Sequence, residues 1–490
     1  EHQTQPQTLR AFEHSTFTDD WRDLMKHYTV RRTRSFIRKH SPIDPADGKP
    51  YLEFQDGSRF KFPERLPKAF KYGFNAKDPN DQYAKLYSSA VVDIIRQLHL
   101  ARYGLRRYID GAAESQASQK ELRIIDDLSR AGKRMVGFAR TSLFKRLESS
   151  GWSFLLSLQR HILRNHLFVY ALENDLDLPI GIQDGEGIDE ILGDEDMEKL
   201  AEMSVDEHGK RYTENAALLY KALDIPKNRK RFKWLRAGLF SDQLKKHLLD
   251  DAGQLHHIWT MGKDWDPAKD KQLNALHRFC TKENPDKKVL VFTQFADTAM
   301  YLHEQLDARK VSGLDVVTGN RNDPTHAAHR FSPRSNKQPE IAGTSHETRV
   351  LITTDVLSEG QNLQDGHIII NYDLPWALIR LIQRAGRVDR IGQTSDKVYC
   401  YSFLPEEGIE TIINLRGRLR QRITENAEVV GTDEVFFDGD PVNLHDLYAE
   451  KSGMYDEEGD DEVDLGSWAY QIWNEATASD AELRKRIENM

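Results

Sequence analysis

Between residues 287 and 403 the chain alternates short, apolar, β-branched runs with stretches of helical periodicity. No other feature restricts the fold as strongly, because apolar runs of this length are typical of strands that are buried on both faces. Strands that alternate with helices predict a parallel sheet with helices packed on both sides. The predicted strands are 288–293, 314–318, 349–353, 367–371 and 397–403, and the predicted helices are 296–308, 323–331, 376–390 and 408–426.

Polar residues follow the predicted strands at their carboxyl ends. Open parallel sheets bind ligands at that edge, where the chain switches from one side of the sheet to the other. Hydroxyl, amide and carboxylate side chains at this edge therefore predict a ligand site. The residues concerned are Thr293, Gln294, Thr318, Gly319, Thr353, Thr354, Asp355 and Asp373.

The chain before the sheet has a different pattern. Apolar residues at helical spacing predict one long helix over 91–108 and a second over 140–172. Clusters of Pro, Asp and Gly in the preceding segment predict turns with short strands between them. The predicted organisation is a short fragment at 1–40, a turn-rich linker at 41–79, a helical insertion module at 80–284, an α/β lobe at 285–428 and an acidic tail with a terminal helix at 429–490.

Charge is distributed unevenly along the chain. The formal net charge of −9 would argue against a nucleic-acid partner if it were spread uniformly. However, residues 21–39 carry seven Lys and Arg and residues 227–246 carry eight, whereas the acidic blocks 184–198 and 456–464 carry none. Basic runs of this kind indicate a phosphate-binding surface. The alternative left open is that each run is a solvated helix face.

Composition restricts the class of protein. Hydrophobic residues make up 39% and charged residues 30% of the chain. No apolar run approaches the ~20 residues that a membrane span needs, so we expect no membrane partner. The two cysteines, Cys280 and Cys400, fit no metal or redox spacing and are expected to be ordinary buried thiols in a reducing compartment.

The string QRAGRVDRIGQ at 383–393 contains three arginines that stand three residues apart. If Arg384, Arg387 and Arg390 shared one helix face, their like charges would require an anion opposite them. A polyphosphate suits this arrangement, because the planar guanidinium binds phosphate oxygens in pairs. The alternative is a surface helix whose arginines form ion pairs with neighbouring acids.

A second string, TTDVLSEGQNLQ at 353–364, places two hydroxyls and an acid at a predicted strand end. Threonine hydroxyls can contact phosphates, and Gly360 allows the backbone to approach a ligand. The alternative is an ordinary strand–helix connection with an N-cap residue. A third string, VLVFTQF at 289–295, is by itself only a buried parallel strand.

The order of the strings is more specific than any one of them. VLVFTQF, VVTGN, TTDVLSEGQNLQ, HIIINYDLPW and QRAGRVDRIGQ follow one another through about 285–425. This order resembles the C-terminal RecA-like lobe of superfamily II helicases, and the endings DLPW and RIGQ resemble the Swi/Snf-type ATPases, particularly their bacterial branch. Two further strings, MKHYTVRRTRSFI at 25–37 and TSLFKRLESSGWSFLLSLQRH at 141–161, are similar to segments of the same branch.

The resemblance implies roles for named residues. It implies that Arg387 and Arg390 are catalytic arginine fingers on ATP, and that Gln383, Gly360 and Asn362 line the nucleotide site. It implies nucleic-acid phosphate contacts by Thr293, Gln294, Thr318, Gly319, Thr353 and Thr354. The segment at 359–362 departs from the Gly-rich string of the eukaryotic branch.

The first motor lobe of this family is expected to be missing. ATP hydrolysis there needs a loop G-x-x-x-x-G-K-[ST] and an acidic pair that holds Mg²⁺, and no Gly-Lys pair in this sequence is followed by Ser or Thr. Residues 1–40 are then a remnant of that lobe. The cofactors implied are ATP and Mg²⁺, with Mg²⁺ held mainly by the missing lobe, no metal site in this chain, and negligible turnover by the chain alone.

The leading hypothesis is therefore part of a cytoplasmic, bacterial or archaeal ATP-dependent translocase on nucleic acid, most plausibly double-stranded DNA. A second hypothesis is a non-catalytic regulatory module whose helical region docks a protein such as a polymerase or a defence complex. Phosphate-driven binding weakens steeply with salt, whereas docking through apolar helix faces does not, so salt dependence discriminates between them.

Overall fold

The computed structural model describes residues 41–46, 48–70, 78, 80–180, 210–319, 323–358, 360–375 and 378–403. Among the described residues, those from Ser41 to Phe62 belong to one compact unit and those from Pro63 to Phe403 belong to another. The described part of the first is a small antiparallel hairpin, in which β1 (Leu52–Glu53) pairs with β2 (Arg59–Phe60). The Arg59 guanidinium lies 4.5 Å from the centroid of the Tyr51 ring. The predicted helix 408–426 and the tail lie outside the described residues.

The second unit begins with one strand and continues into a helical module, which we define as residues 81–262. A buried core of Leu, Ile, Val, Phe and Ala side chains joins its long helices to one another. In chain order the elements are β3 (Glu64–Phe70), α1 (Gln82–Leu86), α2 (Ser89–Gln97), α3 (Gly111–Glu114), α4 (Gln119–Ser149), α5 (Gly151–Glu173), β4 (Leu178–Ile180), α6 (Lys210–Asp224), α7 (Pro226–Arg229), β5 (Lys233–Leu235) and α8 (Asp242–Gly262).

The predicted helix over 140–172 is two helices. Its sequence is helical on both sides of Ser150, but that residue is extended, with φ −164° and ψ 133°. Ser150 ends α4 and also begins α5, where its hydroxyl accepts a hydrogen bond from the Ser153 N–H. A serine favours this position because its short side chain satisfies a helix amide that otherwise has no partner. The prediction of one continuous helix was therefore wrong.

The predicted helix over 91–108 is also interrupted. The helix α2 ends at Gln97, and Leu100 adopts a left-handed conformation with φ 50°. Two short 3₁₀ turns follow. The Asp251 carboxylate of α8 accepts the backbone N–H groups of His99, at 2.7 Å, and Ala101, at 3.3 Å, so it compensates for the helical bonds lost at the break. Most of the predicted apolar stripe is buried nonetheless, because the turns keep it on the module's core.

The remaining elements form the sheet domain, which we define as residues 268–403 together with β3. Its six strands are parallel and lie in the order β3-β10-β9-β6-β8-β7, so the predicted α/β fold with a RecA-like parallel sheet and a large helical module is confirmed. The elements are α9 (Lys271–Arg278), β6 (Val289–Phe292), α10 (Ala296–Ala308), β7 (Leu314–Val317), α11 (Pro324–Phe331), β8 (Val350–Thr353), β9 (Ile368–Asn371), α12 (Leu378–Val388) and β10 (Lys397–Phe403).

The sheet is buried on both faces, as its apolar strands require. Along β6, Val289 and Val291 pack into a core with α9 and α10, whereas Leu290 and Phe292 pack into a second core with α11 and α12. The chain runs to one side of β6 for β7 and β8 and to the other side for β9 and β10. This reversal opens a crevice at the carboxyl ends of β6, β8 and β9.

Two elements of the sheet domain lie outside the boundaries, 285–428, that the sequence predicted for the α/β lobe. The strand β3 lies within the predicted linker and pairs with β10 at the edge of the sheet. Pro67 is tolerated there because, within the described residues, no further strand lies beyond β3 to need a hydrogen bond from its backbone. The helix α9, within the predicted helical module, packs on the sheet through Leu273 and Leu276. Sequence periodicity marks helices and strands but does not say which core each one joins.

The first residue of α5 is tightly packed. A Cβ added to Gly151 would meet the Trp265 ring at 2.3 Å, and the Trp265 indole is buried and bonded to the Tyr301 hydroxyl. We expect Gly151→Ala to destabilise the chain by about 1–3 kcal/mol through overpacking. Gly253, within α8, has nothing within 4 Å of an added Cβ. Gly253→Ala is the matched control and should stabilise by about 0.5–1 kcal/mol in urea unfolding. Equal effects of both substitutions would contradict this packing.

Candidate functional site

A buried carboxylate organises the crevice at the carboxyl ends of β6 and β9. Asp373, which is 1% exposed, accepts the Thr293 hydroxyl at 2.5 Å, the Ser149 hydroxyl at 2.6 Å and the Gln294 backbone N–H at 2.9 Å. Ser149 is the last residue of α4. Three donors to one buried carboxylate therefore tie two strand ends to the junction of α4 and α5.

A buried lysine fixes the loop that leads from β9 towards α12. Lys145, which is fully buried, donates to Glu148 at 2.7 Å and to the Leu374 carbonyl at 2.5 Å. Burial raises the pKa of Glu148, and the adjacent Lys145 ammonium opposes that rise. The Gln294 side chain donates to the same Leu374 carbonyl at 2.6 Å. The helical module thus holds the backbone immediately before the arginine-bearing helix.

Arg384 is buried rather than directed at a ligand. Its Nε donates to Asp355 at 2.7 Å, its Nη1 donates to Asn371 at 3.0 Å, and its guanidinium lies 5.1 Å from the centroid of the Phe292 ring. Arg380 adds a second cation to Asp355 at 2.6 Å. Burial alone would raise the pKa of Asp355, but Arg384 and then Arg380 hold it below its ordinary value. The expectation that three arginines share one ligand-facing helix surface was wrong, because α12 ends at Val388 and Arg384 lies on its buried side.

Arg387 and Arg390 lie beside the turn at 360–363. The exposed Arg390 donates from Nη1 to the Asn362 side chain at 2.7 Å and to the Gln361 carbonyl at 3.3 Å. Arg387 is partly buried, its Nε donates to the Gln383 carbonyl at 3.4 Å, and its own carbonyl accepts the Leu363 N–H at 3.2 Å. The structure therefore brings both predicted arginine fingers next to the predicted nucleotide-contacting segment.

Gly360 leaves the backbone of this turn open. Its φ is +76°, a conformation that favours glycine, and an added Cβ would meet nothing within 4 Å. Gln383 is partly buried on α12, one turn before Arg387. An exposed guanidinium, an amide and an uncovered glycine backbone at one edge are groups suited to phosphate oxygens. This donor set fits a nucleotide phosphate.

The predicted nucleic-acid contacts divide into two groups. The hydroxyl-bearing Thr293, Thr318 and Thr353 are at most 2% exposed, and the Thr293 and Thr353 hydroxyls donate to Asp373 and to the Thr354 carbonyl. In this conformation those hydroxyls face the protein interior instead of a phosphate, because strand ends at a sheet edge are covered by the following loops. Partly or fully exposed positions remain at Gln294, Gly319 and Thr354.

The basic run at 227–246 is partly neutralised where it lies. Four of its cations pair with acids of the helical module: Arg229 with Asp177 and Asp224, Lys233 with Asp127, Arg236 with Glu121 and Lys245 with Glu173. The structure favours the alternative of a solvated, ion-paired face for this run. The run at 21–39 lies outside the described residues.

Neither a membrane span nor a metal cluster is found in the described part of the chain. None of its helices has the length and apolar character needed to cross a membrane. Over the same residues, no group of three or more His, Cys, Asp or Glu side chains is placed to hold a metal ion. Cys280 and Cys400 are buried and form no disulfide among the described residues, and burial raises the pKa of Cys280 to about 12.

Sequence reasoning missed Lys145 and Ser149 and misassigned Arg384. A signal for Arg384 was available, because Leu381, Ala385 and Val388 place the apolar face of α12 on the same side. For Lys145 and Ser149 no comparable signal was available, since their partners in the sheet domain, Leu374 and Asp373, are 229 and 224 residues away.

Residues 268–392, which lie in the sheet domain, match the family model described as the helicase conserved C-terminal domain. An uncharacterized ATP-dependent helicase of Bacillus subtilis, YqhH, is 33% identical over 125 residues, which are 26% of this chain and 20% of that protein. The ATP-dependent RNA helicase DBP8 of Saccharomyces cerevisiae is 28% identical over 169 residues, which are 34% of this chain and 35% of that protein. The matched segments thus span about a fifth to a third of these relatives.

Two solved structures match part of the chain with low TM-scores. S. cerevisiae Dbp5 bound to RNA and ADP BeF3 has a TM-score of 0.23 and 19% identity, over 30% of this chain and 36% of that one. The C-terminal part of the Fun30 ATPase domain has a TM-score of 0.26 and 15% identity, over 46% of this chain and 65% of that one.

The pair between Arg384 and Asp355 predicts a large and pH-dependent stability effect. We expect Arg384→Ala to cost about 3–5 kcal/mol in urea unfolding at pH 7, because it removes the buried partner of Asp355 and leaves only the exposed Arg380 opposite that carboxylate. Arg380, whose side chain is 51% exposed, is the matched control, and Arg380→Ala should cost at most about 1 kcal/mol.

The same pair sets the direction of the pH dependence. The folded-state pKa of Asp355 lies below its ordinary value of 3.8, so its contribution is complete above that value and is lost as pH falls through the lowered pKa. The difference between wild type and Arg384→Ala should therefore shrink below about pH 4. A difference that stays constant from pH 7 to pH 3 would contradict the assignment.

Proposed function

We propose that this chain supplies the C-terminal motor lobe of an ATP-dependent nucleic-acid translocase of the Swi/Snf type, acting on double-stranded DNA. Its sheet domain presents Arg390 and Arg387 to the phosphates of an ATP held, with Mg²⁺, by a first lobe. Closure of the two lobes around ATP then moves the nucleic acid along the carboxyl edge of the sheet. The helical module braces this edge through Asp373 and Leu374.

The observation that carries the proposal is the position of Arg390. The exposed guanidinium lies beside Asn362, two residues after the open backbone at Gly360, and the Arg387 carbonyl accepts the N–H of Leu363 in the same turn. A planar guanidinium placed at a developing phosphate charge contributes about 10³–10⁵ in rate in related phosphoryl-transfer enzymes. The match of residues 268–392 to a helicase C-terminal domain supports the same role.

The catalytic arginine is tested in a protein that joins this chain to a first lobe with a phosphate-binding loop. We expect Arg390→Ala to lower DNA-stimulated ATP turnover by at least about 100-fold, and Arg390→Lys to recover little of it, because an ammonium lacks the planar fork. Arg278→Ala, at an exposed arginine of α9, is the control and should leave turnover unchanged. Turnover of Arg390→Ala within twofold of wild type would exclude the finger role.

The nucleic-acid class is tested by the salt dependence of binding. We expect the chain to bind duplex DNA with a plot of log affinity against log salt whose slope is about −0.9 for each phosphate neutralised. Duplex RNA and single-stranded RNA of equal length are the comparison arms. Tighter binding of either RNA would reject the DNA assignment, and a slope near zero would favour the alternative of a protein-docking regulatory module.

A further inference from the structure

The fold of the helical module brings together several arginines that lie outside both basic runs of the sequence. We define the arginine cluster as Arg102, Arg146, Arg160 and Arg164 together with His161. Its members come from three segments: the 3₁₀ turn after α2, the last turn of α4 and the middle of α5. The fold alone brings them together.

The cluster meets the sheet domain at Asp297 and Phe295. Arg160 donates to both oxygens of Asp297, at 2.7 and 2.9 Å, and Arg146 donates to the same carboxylate at 2.8 Å. Arg146 also lies 4.7 Å from the centroid of the Phe295 ring. Phe295 directly follows Gln294, so the cluster adjoins the carboxyl end of β6, where nucleic acid is proposed to run.

The positive charge at this place exceeds what Asp297 neutralises. Arg102 donates to the neutral Asn165 amide at 2.7 Å and to His161 Nδ1 at 3.0 Å, and none of its described contacts is a carboxylate. The Nε of Arg160 is buried and has no hydrogen-bond partner among the described residues. Holding guanidiniums together in this way costs free energy unless an anion lies opposite them.

The protonation behaviour of the neighbours agrees with this geometry. Burial, together with repulsion from Arg102, Arg160 and Arg146, lowers the pKa of Arg164 to about 9. Burial, together with the charges of Arg102, Arg164 and Arg146, holds the pKa of His161 well below its ordinary value, so the ring stays neutral and can accept the hydrogen bond from Arg102. Both pKa shifts have the direction expected for groups that lie close to several guanidiniums.

We propose that the arginine cluster binds the phosphodiester backbone of nucleic acid and extends the track from the edge of the sheet domain onto the helical module. In this proposal the partly exposed Arg102 and Arg146 contact the phosphates, and the buried Arg160 and Arg164 lie behind them. Arg102 also lies 5.2 Å from the centroid of the Tyr103 ring, which orients its guanidinium. The spread over three segments favours an extended polyanion over a compact one. This proposal rests on the proposed function for the nature of its ligand.

The test measures binding of a fluorescent 25-base-pair DNA duplex without nucleotide, so it does not depend on the arginine fingers. We expect Arg102→Ala to weaken binding by about fivefold to tenfold at 0.1 M salt and to make the salt slope shallower by about one. Arg102 makes no described contact with the sheet domain, so the fold is expected to persist, which thermal unfolding checks. Arg123→Ala, at an exposed arginine of α4, is the control and should bind as wild type.

Several outcomes would overturn the proposal. One is wild-type affinity and slope in both Arg102→Ala and Arg146→Ala, which would make the cluster a structural clamp on Asp297. Another is a wild-type chain that does not bind the duplex. A third is binding of inorganic triphosphate that Arg102→Ala removes while duplex binding is unchanged, which would assign the cluster to a small polyphosphate. The first and third results leave wild-type duplex binding and the ATP turnover expected of Arg390→Ala unchanged, so they overturn this proposal alone. A wild-type chain that does not bind the duplex also counts against the proposed DNA substrate.

Discussion

The candidate site depends on the buried ion pair between Arg384 and Asp355. Asp355 follows β8 and Arg384 lies on the inner side of α12, so the pair fixes the helix to the carboxyl edge of the sheet. A guanidinium that is fully buried can be held there only by a carboxylate and further acceptors, which Asp355 and Asn371 provide. With α12 held in this way, the residues at its end lie beside the 360–363 turn. An exposed arginine in a position fixed by the fold is what phosphate recognition requires, because little order must then be created on binding.

The helical module and the sheet domain meet through polar contacts that are buried. Asp373 joins the ends of two strands to Ser149, and Lys145 holds the loop after β9. Buried polar groups of this kind demand one arrangement, since any displacement leaves a charge without its partners. The module is thus bonded to the sheet edge next to the crevice, and the arginine cluster continues that edge. A nucleic acid that follows the carboxyl ends of the strands would meet Phe295 and then Arg146.

The sequence predicted the sheet well and the site in part. Apolar runs fixed five strands to within one residue at each end, because strands buried on both faces must be apolar throughout. The sequence could not predict β3 as a sixth strand, since the partner β10 lies more than 300 residues away. The breaks at Ser150 and Leu100 were missed because apolar spacing continues across them. Arg384 is buried in the fold and Arg390 is exposed, and the sequence could not distinguish them because both are arginines of one motif. The basic run at 227–246 suggested a binding surface, whereas pairing in the fold neutralises half of it and assembles the arginine cluster elsewhere.

The central claim is that Arg390 and Arg387 contact the phosphates of an ATP held by another lobe. The most direct measurement is NMR of the arginine Nε–Hε groups, in a protein that contains both lobes, before and after binding a non-hydrolysable ATP analogue. The account predicts that the Arg390 and Arg387 signals shift on binding, while the Arg384 signal, buried against Asp355, stays in place. Nucleotide binding that leaves the Arg390 and Arg387 signals unmoved would contradict it.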